Sequence, residues 1–144
     1  MGSEPPLRIL TFSTLYPNSV MPRHGVFVEQ RLRHLLASGE AQSTVVAPVP
    51  WFPLRSARFG TYSQYARVPG CEEWHGVDLH HPRYIRIPKV GMSLVPRAIA
   101  RSALQTVERI RSGGYDFDVI DAHYFYPDGV AAVMIAQKLN KPVI

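Results

Sequence analysis

The residues with the clearest potential for chemistry lie in two stretches of the chain, and the first is Pro22-Arg23-His24-Gly25. It stands just before a segment with helical periodicity, where a helix N-terminus would offer free backbone amides. Arg23 and His24 could face a phosphate there, and Gly25 could let the backbone approach a ligand closely. A plain N-terminal helix turn, in which glycine is also common, is the alternative interpretation.

The second stretch runs from Asp121 to Gly129 and begins at the end of a predicted strand. His123 stands at the carboxyl end of that strand, where it could carry a proton or bond a substrate hydroxyl. Three aromatic residues, beginning with Tyr124, come next. The alternative is a histidine that is packed among tyrosines with its hydrogen bonds satisfied. Asp128, at the start of the next helix, is predicted to interact favourably with the helix dipole.

Other site chemistries are disfavoured because the sequence lacks their motifs. Gly25 is the only glycine between Gly2 and Gly39, so no G-x-G-x-x-G turn follows the first strand, and neither a Gly-Lys pair nor a G-x-S-x-G motif occurs. His80 and His81 would point to opposite faces of a strand, so they could not easily share a metal ion. We therefore predict no dinucleotide, P-loop nucleotide or metal site and no cofactor.

Apolar residues recur with strand-like and helix-like spacing in turn along the chain. Val28, Leu32, Leu35 and Leu36, for example, share one face of a helix. The predicted strands are 7–13, 43–49, 77–82 and 117–122, with another beginning at residue 143, and the predicted helices are 25–38, 93–112 and 127–139. Residues 50–74 have no clean period and are predicted to be a long functional or disordered excursion.

The order of these elements predicts an α/β fold. Strands that alternate with helices require right-handed crossovers and a mostly parallel, doubly wound sheet covered on both faces. Residues 7–144 are expected to form one domain, and residues 1–6 are expected to be a cloning remnant and tail. Because the chain ends two residues into an apolar strand, we expect it to be a fragment of a longer protein.

The composition supports a packed domain rather than a disordered or membrane-spanning one. Forty-six per cent of the residues are apolar and 19% are charged, which is typical of a globular core. The longest uninterrupted apolar run is the seven residues 130–136, whereas a membrane span needs about 20. Cys71 is the only cysteine, which fits a reducing, cytoplasmic location.

The net charge of +5 is concentrated in the middle of the sequence. Residues 55–111 hold ten basic and four acidic residues, whereas residues 112–144 hold two and four. A basic region of this kind favours an anionic partner such as a phosphorylated small molecule, a membrane surface or nucleic acid. Thirteen of the 16 basic residues are arginine, which suits forked recognition of phosphate or carboxylate. A solvated surface is the alternative.

Two blocks of the sequence resemble a known family. Residues 7–18, which include Thr14-Leu15-Tyr16-Pro17-Asn18, together with Gly25-Val26-Phe27-Val28-Glu29-Gln30, look like the opening of a family 4 glycosyltransferase. The closest resemblance is to bacterial members that build exopolysaccharide, capsule or cell-wall polymers. Residues 117–123 with 126–131 resemble the later block of the same N-terminal domain. The resemblance covers most of residues 7–144 and is weakest over 50–74.

The resemblance implies the N-terminal, acceptor-side half of a GT-B fold, in which two Rossmann-like domains face each other across a cleft. The family's glycine-rich first loop maps onto Gly25, which would lie near the donor diphosphate, with His24 where many members have a second glycine. The family's histidine after the fourth strand maps onto His123, which is expected to contact the transferred sugar. Arg23, His24 and Tyr124 are the further predicted substrate-binding residues.

The resemblance also implies the partners. They are a sugar-nucleotide donor, held mainly by a second domain with paired glutamates, and a glycan or lipid-linked acceptor, with peripheral contact at the inner face of the membrane. The expected enzyme is a retaining glycosyltransferase of polysaccharide biosynthesis, inactive as this fragment alone. A stand-alone α/β binding or regulatory domain that docks on an anionic partner is the alternative. Nucleic acid is not an expected partner, because no recognised binding motif is present.

Overall fold

The computed structural model describes residue 2 and residues 4–51, 58, 60–86 and 92–144. Within these residues the strands are β1 (Leu7–Phe12), β2 (Ala41–Val46), β3 (Val49–Trp51), β4 (Cys71–Trp74), β5 (Val77–His80), β6 (Arg83–Ile85) and β7 (Val119–Ala122). The α-helices are α1 (Val26–Ala37), α2 (Thr61–Arg67), α3 (Val95–Ser112) and α4 (Val130–Leu139).

The main sheet has five strands in the order β4-β5-β2-β1-β7. All of its pairings are parallel except β4 with β5, which form an antiparallel hairpin at one edge. Strands β3 and β6 pair in parallel as a separate two-stranded sheet. The predicted α/β fold with a mostly parallel sheet is therefore confirmed, and the hairpin makes the sheet mixed.

Helices cover both faces of the main sheet, as predicted. Neighbouring residues of one strand point to opposite faces, and Ile9 packs with Leu35 of α1 whereas Leu10 belongs to the core against α3 and α4. Val45 and Val46 of β2 also point to opposite faces: Val45 packs with residues of α1, and Val46 packs in the core under α3 and α4. The larger core lies under α3 and α4, and its fully buried members include Phe12, Ile99, Ala103, Val107, Phe117 and Ile120.

Helix α1 follows the predicted apolar face closely. Val28 and Leu32 are fully buried against β2 and β5, while Leu35 and Leu36 pack at the margin of the core. The helix begins at Val26, directly after Gly25, and ends at Ala37. A helix therefore follows the turn at residues 22–25, as the sequence predicts.

The 50–74 excursion is more regular than its sequence predicts. It contains the end of β3, the short helix α2 and strand β4, while residues 52–57 and 59 of it lie outside the described residues. Pairing with β5 stabilises β4, since Glu72 lies opposite Leu79 and Trp74 opposite Val77. Such tertiary pairing has no signature in local periodicity.

The last predicted helix begins three residues later than its sequence indicates. Residues 125–129 form a wide turn in which Tyr126 has an extended backbone (φ −135°, ψ 132°), and α4 starts at Val130. A residue that precedes proline is disfavoured in the helical region, which explains the extended conformation of Tyr126. After α4, Val143 pairs in parallel with Ile120 and extends the sheet beyond β7, as the sequence predicts.

Candidate functional site

The carboxyl ends of β1, β2 and β7 meet at one edge of the sheet and border a cleft of about 310 Å³. Open parallel sheets bind their ligands at this edge. The lining is mainly apolar and aromatic with a few polar groups: it includes His24, Arg86 and the tyrosines Tyr65, Tyr84, Tyr124 and Tyr126. A cleft of this size and composition suits a polyhydroxylated ligand, because tyrosine offers both an apolar ring and a hydroxyl.

Gly25 sets the position of α1 against the loop that follows β1. Its φ is +67°, and a Cβ atom there would lie 2.4 Å from both the carbonyl carbon and the carbonyl oxygen of Leu15. Only glycine satisfies both demands, since an added methyl group would meet backbone and not a movable side chain. The observed role of Gly25 is thus close backbone packing, and its predicted place near a donor diphosphate stays a prediction.

His24 joins the same loop from the other side. Its Nε2 lies 3.0 Å from the carbonyl oxygen of Thr14, and the residue lines the cleft. Arg23 is exposed on the turn before α1, and within the described residues its guanidinium has no ion-pair partner. The structure therefore brings His24 to the cleft and leaves Arg23 on the surface beside it.

Asp128 lies in the first helical turn, as predicted, and also makes contacts that the sequence does not predict. The carboxylate is fully buried and accepts hydrogen bonds from the backbone N–H of Thr14 at 2.7 Å and from its hydroxyl at 2.9 Å. The Ser13 hydroxyl lies 3.4 Å away. Burial raises the pKa of Asp128, although these hydrogen bonds act in the opposite direction. Asp128 thereby joins the loop after β1 to the turn before α4.

His123 lies at the carboxyl end of β7, where the sequence places it. Its backbone N–H donates to the carbonyl of Phe12 at 3.1 Å, which continues the pairing of β1 with β7. The side chain is 16% exposed, and its Nε2 lies 3.1 Å from Oδ2 of Asp121. The ring is therefore held by a buried carboxylate but reaches the surface.

Arg31 is the site residue that the sequence analysis missed. It extends from α1 to Asp121, with its Nη1 2.6 Å from Oδ2 and 3.1 Å from Nε2 of His123. Burial alone would raise the pKa of Asp121, but the hydrogen bonds from His123 and Arg31 outweigh it and hold the pKa below its usual value. In sequence Arg31 is one more basic residue on a polar helix face, and only the adjacency of β1 and β7 reveals its partner.

Tyr124 contributes to the cleft through an uncommon backbone conformation. Its φ is +79°, a region that bulky residues rarely adopt, and its carbonyl accepts a hydrogen bond from the N–H of Gly129 at 2.9 Å. The side chain is about half exposed, and the neighbouring Phe125 is almost wholly exposed. Both aromatic side chains are thus exposed directly after His123 in the chain, and Tyr124 is the one of the two that lines the cleft.

The described residues form neither a metal-ligand cluster nor a membrane-spanning helix. Among them, no group of three or more His, Cys, Asp or Glu side chains lies close enough together to hold a metal ion. His80 and His81 contact different groups: His80 lies 3.4 Å from the sulfur of Cys71, and His81 contacts Ala47 and Glu72. No helix of the described part of the chain is both long and apolar enough to span a membrane.

Comparison with known proteins relates the chain to a glycosyltransferase. It is 29% identical over 141 residues to a protein of Bacillus subtilis (strain 168) described as the putative teichuronic acid biosynthesis glycosyltransferase TuaC. The alignment covers 96% of this chain and 35% of the relative, so the chain spans about a third of the relative's length. No protein-family model matches the chain, and no solved structure matches it.

Proposed function

We propose that this chain is the acceptor-side, N-terminal domain of a retaining family 4 glycosyltransferase with a GT-B fold, and that the whole enzyme transfers a sugar from a sugar nucleotide during polysaccharide biosynthesis. The observation that carries the proposal is the similarity to TuaC, which runs through 96% of the chain. The carboxyl-edge cleft supports it, because both predicted blocks of the sequence border that cleft.

In this proposal His123 contacts the transferred sugar. Retaining transfer builds positive charge on the sugar ring as the diphosphate leaves, so hydrogen bonds to the sugar hydroxyls that strengthen in the transition state lower the barrier. The imidazole lies at the sheet edge, anchored by Asp121 and open to solvent. The donor nucleotide is held mainly by a second domain, with its diphosphate near the turn that contains Gly25. No resident metal or cofactor enters this reaction.

The cleft lined by tyrosines is the proposed acceptor site. Tyr65 and Tyr124 offer ring faces on which the C–H face of a sugar can stack, and Arg86 offers a forked donor for a carboxylate or phosphate. These groups suit a glycan end or a glycan carried on a lipid diphosphate. The description of TuaC as a putative teichuronic acid biosynthesis glycosyltransferase is consistent with an acceptor of this class.

The test is transfer by the complete protein in comparison with the isolated chain. The complete protein is incubated with radiolabelled UDP- and GDP-sugars and with cell-wall glycan acceptors, and the anomeric configuration of any product is determined by NMR. We expect transfer with retention by the complete protein and none by the 144-residue chain. Turnover by the isolated chain above a buffer control, or an inverted product, would contradict the proposal.

The proposal includes peripheral contact with the cytoplasmic face of a membrane. Residues 55–111 carry an excess of six positive charges, and each basic residue near an anionic surface contributes about 1 kcal/mol of binding free energy. We expect weak sedimentation of the chain with vesicles that contain phosphatidylglycerol, lost at high salt and absent with phosphatidylcholine vesicles. Equal sedimentation with both lipids at low salt would exclude this contact.

A further inference from the structure

Three charged or titratable side chains from two separate elements meet beside the cleft. Arg31 comes from α1, while Asp121 and His123 come from β7 and the residue after it. One carboxylate oxygen, Oδ2 of Asp121, lies 2.6 Å from Nη1 of Arg31 and 3.1 Å from Nε2 of His123. Asp121 is almost completely buried, so its charge depends on these two partners.

Two charged side chains converge on one ring nitrogen. A carboxylate can only accept hydrogen bonds and a guanidinium can only donate them. Nε2 of His123 lies 3.1 Å from Nη1 of Arg31 and 3.1 Å from Oδ2 of Asp121. Nε2 therefore has a protein partner in either tautomer: it accepts from Arg31 when it carries no proton and donates to Asp121 when it carries one.

The second nitrogen is open to a ligand. Nδ1 of His123 has no hydrogen-bond partner among the described residues, in contrast to Nε2. The described part of the chain contains no buried side-chain nitrogen or oxygen without a partner, so Nδ1 is in contact with solvent. The ring thus has one nitrogen turned toward protein charge and the other turned outward.

We propose that Arg31 and Asp121 are positioning residues for His123: they hold Nε2 of the imidazole, so that Nδ1 faces a hydroxyl of the bound sugar and forms a hydrogen bond with it. This inference rests on the proposed function. It assigns Arg31 a purpose that its place on an exposed helix face does not suggest. A sugar hydroxyl can donate to Nδ1 or accept from it, so it matches this nitrogen in either tautomer.

The first experiment measures the ring and needs no activity. Long-range ¹H–¹⁵N spectra of the 144-residue chain, labelled on histidine, give the ratio of the two neutral tautomers of His123 at alkaline pH. Asp121→Ala should lower the share of the Nε2–H tautomer and Arg31→Ala should raise it, because Asp121 accepts from a protonated Nε2 and Arg31 donates to an unprotonated one. Arg33→Ala, which removes an exposed arginine from the same helix, is the matched control and should leave the ratio unchanged. A ratio that neither variant alters would overturn the proposal.

The second experiment is a double-mutant cycle in the complete transferase. We expect Arg31→Ala to lower kcat about tenfold or more, since a displaced catalytic group loses much of its effect. In a His123→Ala background the same substitution should cost nothing further, because its effect passes through the imidazole. Arg31→Lys should restore part of the loss, since it keeps the charge but not the planar fork.

The outcomes separate this inference from the proposed function. If Arg31→Ala lowers kcat equally in both backgrounds, its role is structural and the positioning inference is wrong. If His123→Ala is impaired while Arg31→Ala is fully active, the inference fails and the proposed function stands. If His123→Ala itself keeps wild-type turnover, the proposed sugar contact is wrong, and the assignment of Nδ1 as the nitrogen that faces the sugar is overturned with it.

Discussion

His81 and His123 each follow a parallel strand of the main sheet directly, and each has Nε2 3.1 Å from a carboxylate oxygen. His81, after β5, is fully buried, and its Nδ1 lies 3.0 Å from the carbonyl oxygen of Ala47. His123, after β7, is partly exposed, and its Nδ1 has no partner among the described residues. Both ring nitrogens of the first are therefore engaged by protein, whereas the second keeps one nitrogen for a ligand.

The contrast shows that a histidine–carboxylate pair at a strand end does not by itself identify a site. Glu72, the partner of His81, comes from the antiparallel strand β4, so that pair joins the edge hairpin to the sheet. Asp121, the partner of His123, also binds Arg31 of α1. The first pair connects structural elements, and the second orients a ring beside a cleft. Mutations should therefore affect stability at one histidine and turnover at the other.

The largest expected effect is on turnover. His123→Ala in the complete transferase should lower the turnover number about 10²-fold or more, as for other positioned polar catalytic groups. The melting temperature should stay near the wild-type value, because the side chain is partly exposed and belongs to none of the core clusters. Both quantities are measured on one preparation. A destabilised variant with full turnover per folded molecule would show that His123 is a packing residue.

The opposite pattern is expected at His81. His81→Ala removes a fully buried side chain and leaves the Ala47 carbonyl and Glu72 without their shared partner. We expect a loss of about 2–3 kcal/mol in the free energy of unfolding, measured by urea denaturation of the chain. Turnover per folded molecule of the complete enzyme should be unchanged. A stability equal to wild type would remove the contrast between the two histidines.

A smaller effect, on the free energy of unfolding, distinguishes two glycines in different loops. Gly25, beside the cleft, and Gly76, in the β4–β5 hairpin, both have positive φ, but a Cβ at Gly76 would meet no atom within 4 Å. Gly25→Ala should therefore lower the free energy of unfolding by about 1–2 kcal/mol more than Gly76→Ala, since only the first adds steric overlap to the backbone penalty. Equal losses would show that the Leu15 backbone shifts to accommodate the added methyl group with no measurable loss of stability.

The smallest expected effect is on the pH dependence of stability. The pKa of Asp121 is lowered in the folded state, so its contribution is present above the unfolded pKa and is lost as pH falls through the folded pKa. The pKa of Asp128 is raised, so its contribution is present below the unfolded pKa and is lost as pH rises through the folded pKa.

Asp121→Asn and Asp128→Asn should therefore change the stability profile in opposite senses. In urea denaturation from neutral to acidic pH, the cost of Asp121→Asn should shrink as the pH falls. The cost of Asp128→Asn should shrink as the pH rises toward neutral. If the stability costs of the two variants depend on pH in the same way, the charge on Asp121 is not stabilised by Arg31 and His123. Asp121 would then not be the residue that holds the ring of His123.

Much of the fold follows from local sequence. The spacing of Val28 and Leu32 predicts α1, the β-branched and aromatic run at residues 7–13 predicts β1, and the alternation of such segments predicts a parallel sheet. The position of His123 at a strand end follows in the same way, because the end of an apolar run can be read directly. These predictions succeed since helix and strand periodicities are set by residues that are neighbours in the chain.

The partners of the site residues depend on tertiary structure alone. Arg31 and Asp121 are 90 positions apart, and Asp128 and Thr14 are 114 apart, so no local pattern connects them. The strand order, which sets β1 beside β7, brings both pairs together. The sequence by itself determined the elements and which side chains stand at their ends. Only the packed sheet decided that His81 is enclosed and His123 is open, because burial depends on which strands and helices become neighbours in space.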